Sequence, residues 1–212
     1  LRTLETLRRV MDDQTLYAFQ AAVILEDKHQ PREALAEYIN ALSTSEYDDA
    51  DVARARRRLV KLSRRRGGYE QIAAAFKRER SRNHNWELVW EYPNYLNDTG
   101  RWPEASSLLR DEVSRSDSND FLTQAIGLFE TREDTVGQVA VLNRQISTAG
   151  SQRLAISHRL QLAEVYTRKG LRTQAANTLR ALVQRYPNNY GVLSESADFY
   201  WRLGLRSNAI AV

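Results

Sequence analysis

ISHRLQLAEVYTRKGLRTQAANTLRALVQRYPNN, residues 156 to 189, is followed at an offset of 34 by a second set of its own landmarks: Ala163, Tyr166, Gly170 and Ala175 recur as Ala197, Tyr200, Gly204 and Ala209. The spacing has a physical reading. A small Ala163 lets two helices approach closely, and Tyr166, about one turn later, fills the space between them. Gly170 closes the first helix in the left-handed conformation, and Arg168 and Lys169 suit the negative end of its dipole. Ala175, Leu179, Leu182 and Val183 then form the apolar stripe of a second helix, which Pro187 stops. One period therefore encodes one helical hairpin.

Weaker copies extend outward from this stretch. The segment 15–48 has Ala22 and Leu25, then Pro31 placed to start a second helix carrying Ala34, Tyr38 and Ala41. The segment 53–86 has Leu59 and Val60, a turn at Gly67, and Ile72 with Phe76. In 86–119, Gly100 opens the turn, Ala105 and Leu109 continue the stripe, and Pro93 is expected to kink or shorten the first helix. In 120–153, Gly127 stands at the expected close-approach position and Val139, Leu142 and Ile146 form the second stripe, but the turn glycine is missing. Leu4, Leu7 and Met11 give a leading helix over 1–12, and a truncated hairpin occupies 190–212. The expected organisation is a single all-α array over 1–212. Starting without a methionine and stopping within an apolar pattern, it reads as a piece of a longer chain.

The segment from Ile156 to Asn189 resembles the tetratricopeptide repeat: small residues in both helices, an aromatic between them, a turn glycine and a closing proline. The offset of 34 disfavours the pentatricopeptide relatives that read RNA, whose usual period is one residue longer. The resemblance implies a right-handed superhelical solenoid of antiparallel hairpins with a concave groove lined by the first helices. Such a groove would present Leu16 and Phe19, then Arg54, Arg57, Lys61 and Arg64, then Trp90, Asn94 and Asn97, and further on Arg132, Arg168, Trp201 and Arg202. Tryptophan and arginine are frequent binding anchors. The packing alternative buries Trp90 and Trp201 between repeats. A clamp for a chaperone tail is disfavoured, because Leu160, Gln161, Glu164, Ser194, Glu195 and Asp198 stand where its donors would be sought.

Charge is unevenly spread. Arg54 to Arg82 holds twelve basic residues against Glu70 and Glu79, a local +10 in a chain of net +4, so the remainder is −6. A one-signed field over one hairpin attracts an acidic partner. It also calls for compensation, since like charges three or four apart on a helix repel. Glu46, Asp48, Asp49 and Asp51 before the helix, with Glu26 and Asp27 from the preceding hairpin, are the internal candidates. Nucleic acid is disfavoured as partner because no base-stacking aromatic interleaves the basic run from Arg54 to Arg66.

A catalytic reading finds no support. There is no cysteine; His29, His84 and His158 fall in different repeats; and no metal-binding, phosphate-binding or nucleophile motif is present. No cofactor or metal is expected. No apolar run reaches the roughly 20 residues of a membrane span, and Leu1 to Val10 lacks a signal-peptide core, so the residues at hand specify no compartment. Three functions remain. The first is a non-catalytic scaffold gripping a protein or peptide; the others are nucleic-acid binding through the Arg-rich helix and a regulatory or assembly module of a larger enzyme.

Overall fold

The computed structural model describes residues 2–12, 16–43, 49–82 and 86–212. Glu46 and Asp48, two of the acids expected to offset the basic helix, and the histidine His84 lie outside them. Among the described residues the chain is helical throughout, with no strand: α1 (Arg2–Met11), α2 (Ala18–Asp27), α3 (Pro31–Ala41), α4 (Asp49–Ser63), α5 (Gly68–Arg82), α6 (Trp86–Asp98), α7 (Trp102–Arg115), α8 (Asn119–Thr131), α9 (Thr135–Thr148), α10 (Gln152–Arg168), α11 (Arg172–Arg185), α12 (Tyr190–Arg202) and α13 (Arg206–Ala211). The chain forms two compact units, Leu1–Ala105 and Ser106–Val212.

Each unit is a series of helices packed on their chain neighbours. In the first, α2 pairs with α3 and α4 with α5, and stacking joins α4 to both α2 and α6 as well as α3 to α5. In the second, α8 through α13 each pack on the next. The hairpins of both units share one turn. The residue two beyond the first helix is left-handed, the next helix starts two residues later, and the intervening N–H reaches back to close the first helix. Leu171 N–H donates to Tyr166 O at 2.9 Å, and Gln30 to Leu25, Arg101 to Leu96, Asp134 to Phe129 and Leu205 to Tyr200 repeat this at 2.8 to 2.9 Å. This six-to-one bond satisfies a carbonyl that the helix end would otherwise leave bare.

Gly100, Gly170 and Gly204 take the left-handed position at φ 77°, 69° and 74°, as glycine should. Glu133 and His29 take it at φ 52° and 57°. The two hairpins without a turn glycine therefore make the same turn, at a steric cost that an L side chain carries there of about 1–2 kcal/mol each. The α4–α5 hairpin departs from the pattern: Gly67 is left-handed at φ 70° and α5 begins at once with Gly68.

Pro31 occupies the first turn of α3, where its missing N–H costs nothing. Pro93, by contrast, sits buried inside α6, which runs 13 residues like α8 and α12; it does not shorten the helix. Gly127 is corrected as well. It is exposed, and a Cβ there would meet nothing within 4 Å, so the close approach lies elsewhere, at Ala125 in α8 and Gly137 in α9. Gly137 lies directly against the Phe129 ring, and the adjacent Gln138, buried where α3, α7, α11 and α13 place alanine, donates from Nε2 to Phe129 O at 3.3 Å.

The cores follow the apolar stripes. Around α10 to α12, Ala163, Ala175, Leu179, Phe199, Tyr200 and Leu203 form one buried cluster, with Tyr166 packed between it and the cluster of Leu142, Leu162 and Val165. In the first unit Phe76 of α5 stacks on Tyr92 of α6 with ring centroids 4.7 Å apart and meets Tyr95 at 5.4 Å.

Candidate functional site

The Arg-rich helix α4 buries Ala55 and Leu59 against its neighbours, and this fixes where every arginine points. Residues two apart on a helix project about 200° from one another. Arg56 and Arg58 therefore leave opposite flanks. Arg56 reaches forward to α6, where Nε and Nη2 donate to the two oxygens of Glu91 at 2.9 and 2.7 Å. Arg58 reaches back to α2, where Nε and Nη2 donate to Glu26 at 2.8 and 2.6 Å. Glu26 also accepts from the Tyr38 hydroxyl at 2.9 Å. Both pairs are bidentate, the strongest carboxylate geometry available to arginine.

The two carboxylates differ in environment. Burial pushes Glu91 above its ordinary range, and the adjacent Arg56 only partly draws it back. Burial also pushes Glu26 up, but the hydrogen bonds from Arg58 and Tyr38 and the charges of Arg58 and Arg65 outweigh it and hold Glu26 below its ordinary range. Tyr38, buried beside Glu26, is pushed up to about 12 and remains a hydrogen-bond donor at neutral pH.

With Arg56 and Arg58 committed inward, Arg54, Arg57 and Lys61 remain on the outer side of α4. They line an open cleft of about 400 Å³ between α2 and α4, together with Phe19, Val23, Asp27, Tyr38 and the Glu26–Arg58 pair. Arg54 makes an exposed ion pair with Asp51, which Gln20 also contacts. Arg57 and Lys61 are exposed and form no ion pair or hydrogen bond among the described residues. The cleft thus combines a cationic wall with an apolar floor.

The other expected contact residues fall into different surroundings. Arg64 is exposed in the turn after α4 and does not line the cleft. On α6, Trp90 is half-buried; Asn94 is half-buried and hydrogen-bonded to Glu91; and Asn97 is half-buried with its Oδ1 enclosed and unpaired. In the second unit Arg132 is exposed just after α8. Arg168 stands 3.8 Å from Glu130, and Arg202 pairs with Glu164 at 3.1 Å while its guanidinium covers the Phe199 ring at 4.1 Å. Trp201 is 60% exposed, with Arg206 5.4 Å from its ring, so packing between repeats does not account for it.

Sequence reading named Glu26 as a neutralising acid but overlooked Glu91, and it treated Arg56 and Arg58 as members of one basic face. A usable signal exists. The paired residues lie 35 positions apart for Arg56 with Glu91 and 32 for Arg58 with Glu26, close to one repeat. Among the described residues no cluster of three or more histidine, aspartate or glutamate side chains could hold a metal, and no helix is long and apolar enough to cross a membrane. No protein-family model matches the sequence, and no curated protein is detectably similar to it.

Proposed function

We propose that this chain is a non-catalytic, tetratricopeptide-type binding scaffold whose first unit receives an acidic protein segment in the cleft between α2 and α4. The observation that carries this reading is that two exposed cations without an ion pair among the described residues, Arg57 and Lys61, line one open cleft with the apolar side chains of Phe19 and Val23. Such a surface suits a peptide that alternates carboxylate and apolar side chains: the carboxylates meet guanidinium and ammonium groups, and the apolar groups leave water. The surrounding ion pairs favour it further. Arg58 and Glu26 neutralise one another, so the wall of the cleft is fixed before a partner arrives and less ordering is needed on binding.

The test is fluorescence anisotropy of a labelled acidic-aromatic peptide against the wild-type chain and the double reversal Arg57→Glu with Lys61→Glu. Loss of about 2–3 kcal/mol, roughly a hundredfold, is expected, since each substitution removes one charge-assisted contact. Affinity should also fall with added salt. A single-stranded oligonucleotide of equal charge serves as the competing ligand. Tighter binding of the oligonucleotide, or peptide binding indifferent to the reversal, would overturn the assignment.

A further inference from the structure

We infer that the first unit has a second ligand site, separate from the α2–α4 cleft: a pocket between α3, α4 and α5 that takes a small apolar group bearing a carboxylate. The pocket measures about 140 Å³ and is more enclosed than the cleft. Its inner lining is mainly apolar, from Pro31, Ala34, Leu35, Leu62 and Ile72, with Gln71 and Glu26 as polar neighbours. A cavity of about 150 Å³ with such a lining is large enough to hold benzene. The space therefore suits one branched aliphatic or small aromatic group.

Two guanidiniums at its rim give the charge preference. Arg65 and Arg66, consecutive residues in the turn after α4, both line the pocket and both are exposed. Arg66 has no ion pair or hydrogen bond among the described residues. Arg65 stands 3.7 Å from Glu26, outside hydrogen-bond reach. Glu26, the acid that also borders this pocket, is already held by two bonds from Arg58 and one from Tyr38, so its charge is compensated from the cleft side. Glu26 thus partitions the two sites and leaves Arg65 and Arg66 available to a carboxylate. An apolar group in the pocket places its acid at the rim, where those two guanidiniums supply donors in a planar fork.

The site does not depend on what occupies the α2–α4 cleft, and the experiment separates the two. Methyl-labelled protein is titrated with isocaproate and with its neutral amide, and the resonances of Leu35, Leu62 and Ile72 are followed. Saturable shifts of these methyls are expected with isocaproate. About ten-fold weaker binding is expected for the amide, and for isocaproate on the double variant Arg65→Gln with Arg66→Gln, the equivalent of one charge-assisted hydrogen bond. The double reversal Arg57→Glu with Lys61→Glu should leave these shifts unchanged. A hexapeptide ending in leucine distinguishes the ligand's source. Tighter binding than isocaproate, lost on amidation, assigns the site to a chain terminus, and weaker binding assigns it to a small free acid. The proposal is overturned if no saturable methyl shift appears, if acid and amide bind equally, or if the shifts occur at Val23 and vanish with the Arg57 and Lys61 reversal.

Discussion

The two units make the same hairpin turn but fasten their hairpins together differently. In the first, the ties are partly buried ion pairs that span about one repeat. Arg8 of α1 forms two bonds to Glu37 of α3 at 2.8 and 2.7 Å, Arg58 of α4 holds Glu26 of α2, and Arg56 of α4 holds Glu91 of α6. In the second, three ion pairs between hairpins are long or exposed, Arg168 to Glu130 at 3.8 Å, Lys169 to Glu133 at 3.6 Å and Arg202 to Glu164 at 3.1 Å, while the shorter ties are the Ser106 hydroxyl donating to Asp134 at 2.6 Å and Arg144 reaching the exposed Asp117 at 2.7 Å. There Ala163, Leu179, Phe199 and Tyr200 carry the stacking. A buried pair contributes little net stability because desolvation offsets the attraction, yet losing one member leaves an uncompensated charge. An exposed pair contributes little and is lost at little cost. Partly buried, bidentate arginine–carboxylate pairs therefore tie hairpins in the first unit alongside its aromatic stack, whereas the ion pairs described for the second unit each have an exposed member.

This contrast can be broken most sharply at the ion pairs. Arg56→Ala should destabilise the first unit by about 3 kcal/mol or more, because it strands the buried carboxylate of Glu91, whereas Arg168→Ala should cost under about 0.5 kcal/mol. Hydrogen exchange of α4 and α6 against α10 and α11 would register both, and equal effects would erase the distinction.

Tight glycines probe shape next. A Cβ on Gly68 in the first unit would collide with the backbone carbonyl of Leu62, while one on Gly137 in the second would collide with the Phe129 ring. A ring can turn and a carbonyl cannot, so Gly68→Ala should cost about 3 kcal/mol and Gly137→Ala about 2 kcal/mol in urea unfolding. The reverse order would mean that the Phe129 packing is the more rigid of the two.

The smallest effect comes from the turn that both units share. Glu133→Gly should stabilise the α8–α9 hairpin by up to about 1 kcal/mol by relieving a left-handed side chain, offset only slightly by the loss of the exposed contact with Lys169. Gly170→Ala should destabilise its hairpin by a similar amount. A thermal melt that moved the same way for both substitutions would contradict the shared-turn account.

The sequence by itself determined the helices and their turns. Ala163, Tyr166, Gly170 and Ala175 and their copies are local signals, since helix periodicity and left-handed closure depend on residues a few positions apart. Where the turn glycine is replaced by Glu133, the backbone still closes through the Asp134 to Phe129 bond, which no composition rule anticipates because the cost of the side chain is small against the packing around it. Close approach was less legible: Gly127 and Gly137 look alike in the sequence, and only packing shows that one faces open space and the other an aromatic ring. The basic run from Arg54 to Arg66 was legible as charge, and helix periodicity set Arg54, Arg57, Lys61 and Arg64 apart as its groove-facing candidates. Tertiary structure alone decided that Arg56 and Arg58 meet carboxylates about a repeat away and that Arg64 lies off the cleft lined by Arg54, Arg57 and Lys61. The reason is geometric: a helix sends successive side chains to different flanks, and what each flank meets is set by the neighbouring hairpins.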